Sequence, residues 1–375
     1  MPVDPVEDAP TLRWLERAAF SRLLSALGAH GYRTVGPVVR DGSVMLETIG
    51  RVEDLPRGWR DRQEGGAYRL EPQTSERLFD VVNGPTSLKH FTFVPRETLL
   101  QIEIAPGATG FRAHEQIPRP ERLAVLGVRA CDLAALAIQD RIFLNDRAPD
   151  AQYAARRSGL LLLAVECTRS VATCFCTSMG TGPALEQGFD LALTELDAGF
   201  VIRSGSASGD EILGALALPE CSPERHSEAV ERVTHCARTL ERELHPRDLR
   251  PLLYDNLEHP RWDDVAARCL SCGNCTMVCP TCFCHDEREE PNLDGTSSLR
   301  VREWDSCFNR DHGQIRGHNF RPEIRDRYRQ WLVHKLASWI DQFGMSGCVG
   351  CGRCITWCPV AIDLTEEIAV IRGDR

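Results

Sequence analysis

Long apolar stretches are missing from this chain of 375 residues. The longest, such as Leu160 to Val165, fall far short of the roughly 20 residues that a membrane-spanning helix needs. Any link to a membrane would therefore have to come through a partner. The start, MPVDPVEDAP, is acidic and lacks the apolar segment of a secretory signal. Lysine is nearly absent: Lys89 and Lys335 stand against a background of arginine, and nothing functional follows from that composition by itself. Positive charge is in deficit overall, with a net charge of -10, which excludes the basic footprint of a nucleic-acid-binding protein. No G-x-G-x-x-G follows a strand-like run, no P-loop is present, and Gly180-Thr181-Gly182 lacks the setting for dinucleotide binding. Neither a Ser-His-Asp set nor paired carboxylates stand out. The chain thus shows no flavin, nicotinamide or catalytic site of its own.

Cysteine, by contrast, is abundant, with 17 residues. In a small secreted domain these would read as disulfides; the length and the start of this chain point to a reducing cytoplasm instead. Eight of them form two copies of one signature, Cys269-x2-Cys272-x2-Cys275-x3-Cys279-Pro280 and Cys348-x2-Cys351-x2-Cys354-x3-Cys358-Pro359. This is the ligand run of bacterial-type 4Fe-4S clusters, in which the fourth cysteine of each run serves the other cluster. The expected ligand sets interleave: Cys269, Cys272, Cys275 and Cys358 for one cluster, Cys348, Cys351, Cys354 and Cys279 for the other. Gly273, Gly350 and Gly352 suit loops that wrap closely and aim N–H groups at sulfide. A zinc site needs one closed set of four and gains nothing from duplicated runs. These residues imply single-electron transfer.

Upstream, residues 11 to 30 carry Trp14, Leu15, Ala18, Leu23, Leu24 and Leu27 at helical spacing, and an amphipathic helix is expected there. Thr34 to Val39 and Ser43 to Thr48 flank Asp41-Gly42, a tight hairpin signal. Leu99 to Ile104 reads as a further strand. A continuous apolar strand from Leu123 runs into Cys131 and then into a helix bearing Leu133, Leu136, Ile138, Ile142 and Phe143. A helix N-terminus favours a thiolate at Cys131. A second strand, Leu160 to Val165, leads to Cys167, Cys174 and Cys176. If both strands lie parallel, all four cysteines converge at the carboxyl edge of one sheet, where α/β folds place their sites. A third cluster on Cys131, Cys167, Cys174 and Cys176, a zinc ion on the same four, and simply buried thiols all fit.

Cys221 and Cys236 lack partners at ligand spacing and read as structural thiols. A polar, proline-marked stretch from Asp255 to Pro260 marks a boundary. The expected architecture is an α/β N-terminal domain over 1–255, a mixed sheet with flanking helices, followed by a mainly α-helical dicluster ferredoxin domain over 256–375. The latter contains an insertion over 285–343, with a helix from about Arg321 to Phe343. Cys282, Cys284 and Cys307 crowd the second cluster run without an assigned role, as alternative ligands, packing residues or contacts to a partner's centre. His312, His318 and His334 read as structural or surface residues.

The combination Gly127-Val-Arg-Ala-Cys131-Asp132, Glu166-Cys167, Thr173-Cys174-Phe-Cys176-Thr-Ser-Met-Gly-Thr-Gly-Pro183 and Cys269-Leu-Ser-Cys272-Gly-Asn-Cys275 leading into Cys279-Pro-Thr-Cys282-Phe-Cys284 resembles the β subunit of cytoplasmic sulfhydrogenases. Those are NAD(P)-linked nickel–iron hydrogenases. The pattern is also similar to one of the subunits of anaerobic sulfite reductases. The resemblance covers about residues 85 to 375, with 1 to 85 matching only loosely. It implies a non-catalytic iron–sulfur relay between a flavin subunit that meets NAD(P)H and a nickel–iron module of small and large subunits. Two other roles follow from the same residues: a relay subunit of a sulfite or sulfur reductase, and an enzyme that reduces sulfur compounds at the Cys131/Cys167/Cys174/Cys176 centre. Neighbouring genes for nickel–iron subunits or for a sirohaem protein would separate the first two.

Overall fold

The computed structural model describes residues 11–103, 110–145 and 147–374. Its strands of four or more residues, in chain order, are β1 (Arg13–Glu16), β2 (Arg33–Arg40), β3 (Ser43–Thr48), β4 (Trp59–Glu64), β5 (Ala67–Pro72), β6 (Arg96–Glu103), β7 (Arg112–Glu115), β8 (Leu123–Val128), β9 (Leu160–Val165), β10 (Leu191–Glu195), β11 (Gly199–Ser204), β12 (His285–Pro291) and β13 (Ser297–Trp304). Seven of them form one sheet in the order β1-β11-β10-β9-β8-β2-β3. Its centre is parallel: β2 pairs with β8, β8 with β9 and β9 with β10. Its margins, β2–β3 and β10–β11–β1, are antiparallel.

Alternation along the central strands explains why both faces are covered. Leu161, Leu163 and Val165 of β9 join one apolar cluster with Leu23 and Leu27 of helix Ser21–Ala29 and Ile212 of helix Ala207–Leu216. Leu162 and Ala164 join another with Leu133 and Leu136 of helix Ala130–Phe143. A parallel sheet buries both faces, so its central strands β8 and β9 are apolar along their whole length. The hairpin expected across Asp41-Gly42 is present, both residues at positive φ (50° and 74°).

Three expectations change. The helix expected over 11–30 begins only at Ser21; Arg13–Glu16 instead pairs with β11, so that Trp14 and Leu15 are buried on opposite sides of the sheet. Adjacent buried residues on opposite faces are a strand pattern, compressed here into four residues. The strand expected at Leu99–Ile104 is β6, which ends at Glu103; Ile104 lies outside the described residues. The expectation of a mainly α-helical dicluster domain meets strands in the insertion: β12 and β13 pair with each other and extend β6 and β7 into a four-stranded antiparallel sheet, order β12-β13-β6-β7. Buried Arg302 of β13 bonds Glu97 of the neighbouring β6 (2.5 Å), and Glu97 ties the sheet to helix Ala151–Ser158 by accepting from Arg156 (2.6 Å).

The helical part that follows the first cysteine run packs around Trp262, Tyr328, Trp331, Leu332 and Leu336. The same apolar cluster takes in Leu244, Leu249 and Leu253 from before residue 255 and Phe175 from the N-terminal half, so packing crosses the expected boundary. The long helix of the insertion runs Ile324–Val333, passes through a π-helical turn at His334–Ser338, and resumes at Trp339–Phe343. Among the described residues no helix is long and apolar enough to cross a membrane.

The two halves meet backbone to backbone. Phe175 N–H donates to the Gly350 carbonyl (2.9 Å) and Thr181 Oγ1 to the Val349 carbonyl (2.6 Å). A Cβ on Gly350 would lie 2.6 Å from the Phe175 carbonyl oxygen, and one on Gly352 would strike the Thr173 carbonyl. Gly352→Ala, at φ +75°, therefore combines backbone strain with overpacking and should cost about 2 to 4 kcal/mol. Gly344→Ala, at φ +74° in open space, carries the strain alone, about 1 kcal/mol. Urea midpoints of the two variants check the ranking.

Candidate metal centres

The two C-terminal cysteine runs fold alike. In each, a glycine at positive φ, Gly273 (75°) or Gly352 (75°), turns the chain into a single helical turn, Asn274–Met277 or Arg353–Thr356. In each, the residue two after the first cysteine donates its N–H to that cysteine's sulfur: Ser271 to Cys269 (3.4 Å) and Gly350 to Cys348 (3.5 Å). Ile362 N–H likewise donates to Cys358 (3.2 Å). Loops of this kind wrap a sulfur-rich group with inward N–H dipoles.

The thiols gather across the runs. Cys275 has Cys269, Cys272 and Cys358 as electrostatic neighbours, and Cys269 has Cys272 and Cys358. Cys354 has Cys348, Cys351 and Cys279; Cys348 has Cys351 and Cys279; Cys351 has Cys279. Cys275 and Cys279 are themselves neighbours, so the two groups adjoin. Burial pushes the Cys348 thiol up to about 12 and the Cys275 and Cys354 thiols well above their ordinary value.

Cations are built in beside them. Lys335, on the π-helical turn, is buried and donates from Nζ to Cys279 Sγ (3.2 Å), Thr281 Oγ1 (3.1 Å) and the Gly347 carbonyl (3.1 Å). Lys89 is buried too, 3.7 Å from the centre of the Trp304 ring; burial lowers its pKa, opposed in part by Cys282, Cys279 and Cys284. Both lysines of the chain thus lie at one thiol group. A hydrogen bond with Cys282, together with Lys335 and Thr281, holds Cys279 well below the usual thiol range. Arg353, also buried, bonds Asp132 (2.8 Å) and the Gly84 carbonyl (3.0 Å) and lies against Cys351. Neither the lysines nor Arg353 was singled out from sequence; lysine scarcity was the available signal.

Cys284 and Cys307, left unassigned by the motif, are in hydrogen-bond contact, and His312 reaches Cys284 while its Nδ1 meets Asp305 Oδ2 at 2.6 Å. The Asp305 N–H in turn donates to the Cys284 carbonyl (2.9 Å). The Cys307 hydrogen bond, then His312, lowers Cys284 to about 4; Cys284 and Asp305 raise His312 to about 9. His312, expected to be structural, is the imidazole partner of a thiolate. His318 is exposed in a two-residue strand, and His334 packs on Phe283 and Trp339.

In the N-terminal half, Cys131 follows β8 and Cys167 follows β9, at the carboxyl ends of adjacent parallel strands. Cys174 and Cys176 lie on the loop that docks against Gly350 and Gly352. Cys167, Cys174 and Cys176 are mutual electrostatic neighbours. Cys131 faces more toward Cys351, with Cys176 next, and its Sγ accepts from Asn83 Nδ2 (3.3 Å). The thiolate favoured at that helix start is not what the surroundings support: burial, Asp132 and Cys351 push the Cys131 thiol well above its ordinary value. Cys221 is half-buried; Cys236 is buried on helix Pro223–Arg238.

Several features fit iron–sulfur groups. Tyr328 Oη and Trp331 Nε1 are buried without a hydrogen-bond partner, and both residues line one cavity with Cys269, Cys272, Cys275, Cys354 and Cys358. Unpaired donors beside a ring of thiols suit a group rich in acceptor sulfur. The raised thiols suit it as well, since a coordinating thiol is deprotonated by the metal. Among the described residues no three His, Cys, Asp or Glu side chains converge tightly enough for a single metal ion.

Residues 268–362 match the family of the 4Fe-4S dicluster domain. The fold and the cysteine geometry therefore belong to an iron–sulfur electron-transfer protein. Over 331 residues the chain is 30% identical to sulfhydrogenase 2 subunit beta of Pyrococcus furiosus, covering 87% of this chain and 95% of that protein. The chain belongs to the sulfhydrogenase β-subunit family, as the resemblance in its motifs implied. No solved structure matches it.

The Cys284–His312 pair predicts that alkylation of Cys284 by iodoacetamide, followed by peptide mass spectrometry, keeps its rate down to near pH 5, because the thiolate persists until the pH falls through about 4. His312→Gln should move the midpoint upward, with the Cys307 hydrogen bond still holding it below the ordinary thiol value of about 8.5. An ordinary midpoint in the unmutated chain would contradict the pair.

Proposed function

We propose that this chain is the iron–sulfur electron-relay subunit of a multisubunit cytoplasmic oxidoreductase, working between a flavin subunit that meets NAD(P)H and a nickel–iron hydrogenase module. Its parts divide the work as an α/β unit to about residue 255 and a dicluster unit over 256–375. Cys269, Cys272, Cys275 and Cys358 hold one 4Fe-4S cluster, and Cys348, Cys351, Cys354 and Cys279 a second. Thiols at the carboxyl edge of the seven-stranded sheet, Cys167, Cys174 and Cys176 among them, hold a third. Bound there, such clusters take up and release single electrons, spreading the added charge over iron and sulfide.

The observation that carries this reading is the continuity of the three thiol groups. Cys275 neighbours Cys279, Cys351 neighbours Cys131 and Cys174, and the Gly350–Gly352 loop lies directly on the Thr173–Cys176 loop. Contiguous sites of this kind suit a relay, whereas an enzyme needs one open pocket that converges on its reactive group. The residues of the chain set the electrostatics of that line. Lys335 and Lys89 at Cys279 and Cys282, and Arg353 at Cys351, place positive charge where added electrons would be held.

Two measurements test the reading. The full chain, purified anaerobically, should evolve no hydrogen and oxidise no NAD(P)H alone, and should restore electron flow when its flavin and nickel–iron partners are added; turnover by the chain alone would overturn it. Lys335→Met removes a buried charge that donates to Cys279 while keeping most of the side-chain volume. Positive charge stabilises the more negative reduced state, so the variant should show a lower reduction potential for one EPR signal and an unchanged one for the others.

A further inference from the structure

In both C-terminal groups one thiol has all three others of its set as electrostatic neighbours: Cys275 has Cys269, Cys272 and Cys358, and Cys354 has Cys348, Cys351 and Cys279. The same relation picks out four thiols in the N-terminal half. Cys174 has Cys167; Cys176 has Cys167, Cys174 and Cys236; Cys236 has Cys167 and Cys174. Every pair among these four is close. Cys131 has Cys351 of the C-terminal run as its leading thiol neighbour, with Cys176 after it.

Packing agrees. Helix Pro223–Arg238, capped by Ser222, buries Ala229, Val233 and Cys236 along one face, and Cys236 is 1% exposed. One turn later, Leu240 packs on Val171 and Cys174. Ser170 hydrogen-bonds Cys236, and the Leu244 N–H donates to Ser178 Oγ (3.0 Å), so the chain on both sides of Cys236 is fastened to the loop that bears the other three thiols. A cysteine used for packing needs only apolar neighbours. Cys236 instead meets thiols, a hydroxyl and the charge of Arg129. Arg129 is buried and also lies beside Cys167, together with Arg169.

We infer that Cys236 is the fourth ligand of the N-terminal centre, completing a set with Cys167, Cys174 and Cys176, and that Cys131 is an unligated thiol between this centre and the neighbouring C-terminal one. The inference rests on the reading that the N-terminal thiols hold an iron–sulfur cluster. It assigns the centre one helix-borne ligand 60 positions beyond Cys176 and leaves the Cys131 thiol held by Asn83, with the Asp132–Arg353 ion pair adjacent.

The test is iron and sulfide quantification with EPR on the full chain purified anaerobically. The unmutated chain and Cys131→Ser should each carry about twelve iron, and Cys236→Ser about eight with the signals of the C-terminal pair retained, at four iron per cluster. Retention of about twelve iron by Cys236→Ser, or loss of four by Cys131→Ser, would overturn the ligand assignment while leaving the third cluster standing. About eight iron in the unmutated chain would overturn the cluster and the assignment together. If Cys236→Ser fails to fold, Cys236→Asp, which keeps an anionic ligand, should retain iron with shifted g values in one signal; an unchanged spectrum counts against the assignment.

Discussion

Gathering many thiols out of water is the constraint on which this molecule is built. A buried thiolate is expensive, and neighbouring thiolates repel, so the charge has to be offset from close by. The chain does this with cations that are themselves buried: Lys335 and Lys89 beside Cys279 and Cys282, Arg353 beside Cys351, Arg129 beside Cys167. A buried lysine or arginine without a partner would destabilise the fold by several kcal/mol. Thiols and cations therefore depend on one another, and a metal group adds the remaining positive charge. Much of the secondary structure reads as the means of holding these side chains in place. The π-helical turn presents Lys335, and the sheet formed by β6, β7, β12 and β13 brings Trp304 over Lys89.

A second constraint is the distance between the two halves. Glycines at 350 and 352 let one backbone lie on another, where any side chain would collide with a carbonyl. The buried Arg353–Asp132 pair and the Thr173–Thr356 hydroxyl contact (2.8 Å) fasten the same junction. The parallel sheet contributes by delivering Cys131 and Cys167 to one edge, because parallel strands end together. Sheet, loop and dicluster unit thus form one continuous thiol-lined body, with electron relay as its natural use.

Much of the fold was legible because its signals are local. The two cysteine runs, the apolar strands at 123 and 160, and the Asp41-Gly42 hairpin each announce themselves within a dozen residues, and family membership follows from their combination. What was not legible depends on partners far away in sequence. Arg13–Glu16 is a strand only because β11 is there to pair with it. The charged run of β12 carries no strand pattern of its own and becomes sheet by pairing with β13, which β6 holds in turn through the bond between Arg302 and Glu97 across 205 positions.

The candidate sites divide in the same way. Which cysteines share a run follows from spacing alone, since a tight loop can offer only ligands a few residues apart. Spacing is silent about Cys236, Lys89, Lys335, the Arg353–Asp132 pair and the pairing of His312 with Cys284, because none of these lies near its partners in sequence. Only the packing of helix Pro223–Arg238 on the Val171–Cys174 loop, and of the insertion on the cysteine runs, brings them together. The kind of chemistry was thus settled by local order in the chain, while the surroundings of each thiol were settled by tertiary contacts, which alone decide what is buried beside what.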